Sequence, residues 1–128
     1  MLLALLLVLL LTSCADPAAN PQAALNRYAE IAERGGELSE VLTQSALIQA
    51  RASSELLQSL GYTQRGRAKF EIWSASNSLI SGCLDLSDLE IIDRQGAFLS
   101  VGQRRSAFIA SITPDNQISQ FEVSQERC

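Results

Sequence analysis

The sequence predicts an α+β domain with its helices first and an antiparallel sheet after them. Between Asn20 and Leu60 apolar residues recur at helical spacing. From Phe70 onward the period falls to two, and short apolar runs are separated by turn-forming residues. Helices followed only by strands place the helices on one face of a single sheet. The expected architecture is two or three N-terminal helices packed on a curved antiparallel sheet of about four strands.

Asn20-Pro21 reads as a helix start, with Asn as N-cap and Pro at the first helical position. Leu25, Tyr28 and Ile31/Ala32 form one apolar stripe, and Gly35-Gly36 ends the helix after Arg34. Leu38, Val41 and Leu42 suggest a short helical turn. Thr43 to Ser45 offers another N-cap, from which Ile48, Ala52, Leu56 and Leu60 step by four with Leu57 beside them. That stripe predicts an amphipathic helix packed on the sheet and ending at Gly61, with Gln44, Gln49, Arg51, Glu55 and Gln58 on its wet face.

Phe70 and Ile72 alternate with Glu71 and Trp73, the pattern of a strand, and Ser74 to Ser78 reads as a polar turn. A second strand is expected over Leu79 to Leu86, continuing through Leu89 to Asp93 after a bulge at Ser87-Asp88. Asp93-Arg94-Gln95-Gly96 has the composition of a hairpin turn. Strands follow at Phe98 to Val101 and Arg105 to Thr113, the latter with Phe108, Ala110 and Ile112 on one face. Pro114-Asp115-Asn116 marks a turn. The last strand is expected over Ile118 to Ser124 with Phe121 and Val123 inward, and the odd phase of Ile118 predicts a bulge.

Leu2 to Leu11 reads LLALLLVLLL. Ten residues at about 1.5 Å each are too short to span a bilayer but suit the apolar region of a signal peptide. The run is followed by Leu11-Thr12-Ser13-Cys14, which resembles the lipobox of bacterial lipoproteins. The resemblance implies cleavage before Cys14 and attachment of a diacylglycerol, with acyl chains such as palmitate, to the Cys14 sulfur. The chain departs from the usual pattern in having no Lys or Arg before the apolar run. The expected organisation is a signal peptide over 1–13, a lipidated Cys and tether over 14–20, and one domain over 21–128. An exported protein lives under oxidising conditions, where the remaining pair, Cys83 and Cys128, is most simply a disulfide; the alternative is two free thiols.

Charge and composition exclude several functions. The formal net charge is −4 with a single lysine, Lys69, so no basic face is available to neutralise a nucleic-acid backbone. The chain contains no histidine, which rules out Ser-His-Asp or Cys-His chemistry and histidine metal sites. No cofactor or metal is expected. Asp85, Asp88, Glu90 and Asp93 lack the spacing of a calcium loop and are read as structural or solvated. Arg65, Arg67 and Lys69 fall on alternate positions; with Arg104-Arg105 they either meet anionic lipid headgroups or form a solvated sheet edge, and the edge is favoured.

The stretches Leu60-Gly61-Tyr62, Arg65-Gly66, Gly82-Cys83-Leu84-Asp85-Leu86-Ser87-Asp88 and Asp93 to Gly96, together with Cys128 after a final strand, are similar to small secreted and membrane-tethered lipoproteins of actinobacteria. Their domain is cystatin-like, of the nuclear-transport-factor-2-like superfamily. The chain departs from that pattern in having Ile118 where such proteins often carry a Trp. The resemblance implies a fold and an extracytoplasmic, lipid-anchored location, but no settled activity. Tyr28, Tyr62 and Trp73 are the candidate lining of a cavity between helices and sheet. The expected role is non-catalytic binding, either of a cell-envelope protein or of a small apolar ligand. The alternative is an isomerase- or dehydratase-like pocket enzyme, which needs an acid–base group in that cavity.

Overall fold

The computed structural model describes residues 20–128; the expected signal peptide, Cys14 and most of the tether lie outside this range. Helix α1 spans Pro21–Arg34, a 3-10 turn spans Leu38–Glu40, and α2 spans Gln44–Leu60. Seven strands follow: β1 (Thr63–Arg65), β2 (Lys69–Ser76), β3 (Leu79–Asp85), β4 (Glu90–Ile92), β5 (Phe98–Leu99), β6 (Arg105–Ile112) and β7 (Ile118–Arg127). They form two antiparallel sheets: a four-stranded one in the order β2-β3-β6-β7 and a three-stranded one in the order β1-β4-β5. The class is therefore α+β, with two α-helices.

Helix α1 begins and ends where the sequence places it. The Asn20 side chain accepts a hydrogen bond from the Ala23 amide, Pro21 occupies the first turn, and Gly35 takes the left-handed conformation at φ 69°. The Gly36 amide donates to the Ile31 carbonyl at 2.9 Å, which satisfies a carbonyl the helix leaves over. Helix α2 starts differently. Thr43 makes no side-chain cap bond and Gln44 has φ 50°, a conformation that non-glycine residues seldom adopt. Its start is fixed by the sheet instead: the Thr43 amide donates to the Ile118 carbonyl at 2.9 Å, and the Ile118 amide donates to the Val41 carbonyl at 2.8 Å.

That attachment sets the rotation of α2 and overturns the expected stripe. Val41 and Leu42 are buried, so the inward face continues through Ala46, Leu47, Ala50 and Leu57. Ile48, Leu56 and Leu60 face outward, with Ile48 70 % exposed. The small residues Ala46 and Ala50 let the helix lie close to its neighbours, while three of its five large aliphatics, Ile48, Leu56 and Leu60, are turned to solvent.

Two further expectations are corrected among the strands. The single sheet becomes two, because Ser87-Asp88 is a turn and not a bulge. The Asp85 carboxylate accepts from the Ser87 amide, the Leu89 amide donates to the Leu86 carbonyl, and the chain leaves β3 to form β4. Residues 63–65, read as part of a polar connection, form β1 beside β4, with Thr63 opposite Ile92 and Arg65 opposite Glu90. The polar run at 74–78 is mostly strand, and only Asn77 and Ser78 turn. The bulge at Ile118 is present: Ser111 pairs with Gln120 while Ile112 pairs with Ile118, leaving Ser119 over.

The core lies between the helices and the inner face of the four-stranded sheet. Leu25, Ile31, Leu42, Ile80, Phe108 and Ile118 are fully buried there. Tyr28, Phe70, Phe108 and Phe121 pack as an aromatic group with ring centroids 5.4–6.3 Å apart. Gly82 on β3 runs so near β2 that a Cβ there would collide with the Glu71 carbonyl oxygen. On the outer face of β3, Cys83 is fully buried beneath a disulfide to Cys128, with 5.9 Å between the Cα atoms.

The bridge closes a loop of 45 residues. Restricting the unfolded chain by a loop of that length contributes roughly 4 kcal/mol in the chain-entropy account. Cys128→Ser is therefore expected to lower unfolding stability in guanidinium by about 2–4 kcal/mol, with the native circular dichroism retained. A denaturation midpoint equal to that of the unreduced parent would contradict this.

Candidate functional site

A cleft opens between α1, α2 and β7. Its outer part has a volume of ≈ 890 Å³ and is bounded by Tyr28 and Gly36 of α1 and its end, Ala50 and Leu57 of α2, Tyr62, and Val123 of β7. Deeper, between α1 and both sheets, lies an inner chamber of ≈ 280 Å³ whose walls include Ala68, Phe70, Leu84, Leu89, Ile91 and Val101. The two parts adjoin, sharing Tyr28, Ala32, Gln64 and Phe121.

The cleft follows from the packing. Gly35-Gly36 stops α1 and turns the chain away before it returns as α2, so the two helices meet the sheet at separate places. The small β1-β4-β5 sheet closes the far side and brings Gln64 to the cleft wall opposite Tyr28. In the inner chamber the polar side chains are those of Tyr28 and Gln64, and no ionisable carboxylate, lysine or arginine lines it. The outer part adds the polar side chains of Gln49, Ser53, Ser54, Gln58, Tyr62 and Thr63 and one carboxylate, Glu122.

Burial is the first cause acting on Tyr28, and it raises the phenol above its usual value of about 10, so the hydroxyl stays protonated. The hydrogen bonds among the described residues do not engage that hydroxyl. It remains available as donor and acceptor to whatever enters the cleft.

Of the three aromatic residues singled out in the sequence, Tyr28 and Tyr62 line the same cleft. Trp73 does not. It sits at a register shift in β2 between Ile72 and Ser74, and it stands over the outer face of the sheet beside Ser81 and Ile109. Its alternation with the inward Phe70 and Ile72 already directs it to the outer face, away from the cleft. Gln64, Ala32 and Phe121 complete the cleft. Gln64 gives no apolar alternation and sits in a three-residue strand, so its position depends on pairing with β4, which the sequence does not announce.

The acidic and basic residues marked in the sequence are divided among separate contacts. Arg65 pairs with Glu90 at 3.7 Å, Arg67 with Glu33, and Lys69 with Asp88. Arg105 reaches Glu71 and Asp85 at 3.5 and 3.6 Å, and Arg104 donates to the Ser87 carbonyl. The Ser87 hydroxyl and amide, then Arg105 and Lys69, hold the Asp85 carboxyl below its ordinary value. Asp93 accepts from the Gln95 and Ala97 amides and shapes the β4–β5 turn. Among the described residues no group of acids and cysteines is placed to hold a metal ion. None of their helices is long and apolar enough to cross a membrane.

No family model, curated protein or solved structure matches the chain.

In Tyr62→Phe protein, Tyr28 is the one remaining phenol. Its phenolate absorbance is expected to rise with a midpoint above pH 10. The folded chain holds this proton more tightly than the unfolded one. Stability from this group is thus present below about pH 10 and is lost as pH climbs through the higher folded value. A midpoint at or below 10 would place the hydroxyl in bulk water.

Proposed function

We propose that the protein is an exported, lipid-anchored domain of the cell envelope whose cleft binds a small, mainly apolar ligand bearing one polar group. The observation that carries the binding reading is the inner chamber, lined by apolar side chains with only Tyr28 and Gln64 to orient a polar group. The anchor reading rests on Leu11-Thr12-Ser13-Cys14 behind the apolar run, with residues 1–13 as signal peptide. The Cys83–Cys128 bridge supports export, since such bonds persist in oxidising compartments. Helices over one face of a four-stranded antiparallel sheet, with a recess between, support the finer reading of the fold as cystatin-like. Binding is favoured over isomerase- or dehydratase-like chemistry because Asp85 and Glu71 both lie outside the cleft and its one carboxylate, Glu122, lines the outer part and not the inner chamber.

The anchor is tested in the native host. Cys14→Ser is expected to abolish incorporation of labelled palmitate and to move the protein out of the membrane fraction, because two acyl chains supply a lasting hold that the tether lacks. Equal labelling of parent and variant would remove the anchor from Cys14.

The cleft is tested with cis-parinaric acid, a fluorescent fatty acid. Saturable binding is expected, weakened at least about tenfold in Ala32→Phe, whose ring would fill the junction of the two chambers; a tenfold loss corresponds to about 1.4 kcal/mol. The thermal midpoint of that variant shows that it is folded. Absence of saturable binding by the parent, or equal affinity in a folded variant, would count against the ligand reading.

A further inference from the structure

The outer face of the four-stranded sheet, which no helix covers, is divided along its length. At one end Lys69, Glu71, Asp85 and Arg105 stand across neighbouring strands, with Arg105 bridging Glu71 and Asp85. Toward the other end charge disappears from β2, β3 and β6, while on β7 Glu122 stands opposite Ile109. Residues 72–84 contain no charged side chain, nor do residues 106–114. The exposed apolar residues of the face lie on these three strands in this half: Trp73 at 55 %, Leu79 at 54 % and Ile109 at 43 % exposed. Register puts Ile109 opposite Ser81 on β3, and Ser81 opposite Ser74, the neighbour of Trp73, so Trp73 and Ile109 stand at the same level of the sheet.

The same half is the one from which the chain leaves toward Cys14. The Asn20 amide donates to the Asn116 side chain at 3.0 Å, and Asn116 lies in the turn between β6 and β7. The Ile112 amide donates to the Ser78 carbonyl at 2.8 Å, which sets the β2–β3 turn beside it. Residues 15–20 extend at most about 3.5 Å each, so Cys14 lies within about 20 Å of this end.

We propose that this half of the sheet's outer face rests on the lipid bilayer, with Trp73, Leu79 and Ile109 entering the interfacial layer. The proposal rests on the reading of Cys14 as the anchor. A tryptophan with an apolar body and a polar N–H suits the headgroup boundary, and the absence of charge from β2, β3 and β6 in this half lowers the desolvation that would oppose contact, with Glu122 of the edge strand β7 left on the water side. The anchor makes the encounter intramolecular, so a small apolar patch suffices. The exposed ridge of α2 is the competing surface, but Arg51 and Glu55 lie beside it and it runs away from the chain exit toward Leu60.

The test uses chain beginning at Cys14. With Cys83 and Cys128 bonded, Cys14 is the one free thiol, and Trp73 is the one tryptophan. Cys14 is coupled to a maleimide lipid in phosphatidylcholine vesicles, which supplies an anchor whether or not the cell lipidates this residue. Trp73 emission is expected to shift to the blue on coupling and to be quenched at least twofold by lipid brominated along its chains. Leu79→Ser with Ile109→Ser should restore most of the emission while leaving the thermal midpoint within a few degrees. Emission that neither shifts nor is quenched in the coupled parent would overturn the proposal. So would quenching unchanged in the sheet variant and relieved by Ile48→Ser with Leu56→Ser. Palmitate labelling in cells decides the anchor separately, so the two readings fail by different results.

Discussion

Two backbone hydrogen bonds place most of the molecule. The segment between the helices reaches the start of β7 and pairs with it, through Thr43 to Ile118 and Ile118 to Val41. The pairing is a parallel bridge at Leu42 and Ile118, both of which are buried. A buried amide or carbonyl left without a partner would cost on the order of 1–3 kcal/mol, so these groups hold the connection to one register. Once it is held, α1 and α2 must lie on the same face of the sheet. The rotation of α2 follows from Val41 and Leu42 and not from its own largest side chains.

The same constraint makes the cleft. A helical hairpin free to pack on itself would bring α1 and α2 together along their apolar sides. Here the connector is tied to β7, and the helices diverge from it. Tyr28, Phe70, Phe108 and Phe121 fill the space beneath α1 as stacked and edge-on rings, while the region toward α2 and β1 stays open. The cleft is a consequence of how two short helices cover a larger sheet: its inner walls are the unfilled margin of the core, and its outer walls carry polar residues of α2 and β1.

Elements governed by local chemistry were legible in the sequence. Asn20-Pro21 and Gly35-Gly36 bound α1 because caps act within one turn, and Asp93 shapes its hairpin turn through its own neighbours. The bulge at Ile118 was legible as a break in alternation. What depended on distant partners was not. Ile48, Leu56 and Leu60 make the stronger apolar stripe on α2, yet a backbone contact far along the chain turns them out. Strand β1 is three polar residues whose pairing with β4 cannot be inferred from composition, so Gln64 escaped notice at the cleft. Trp73 lies outside the cleft because it alternates with the inward Phe70 and Ile72, so the strand pattern itself argued against its place in a cavity wall.

The disulfide joins a residue on a central strand to the end of an edge strand, and between them lie β4, β5, β6 and β7. The sheet's carboxyl-terminal part is thus a covalent ring. Residues 100–104 lie outside the strands, with Ser100, Gly102 and Arg104 exposed, and are the place where a protease would find accessible chain. A cut there opens the ring without releasing a fragment: β6 and β7 remain joined to β3 through Cys128 and Cys83, and the nicked chain keeps every strand of the larger sheet in reach of its neighbours. The bond works as a repair of connectivity made in advance of the damage.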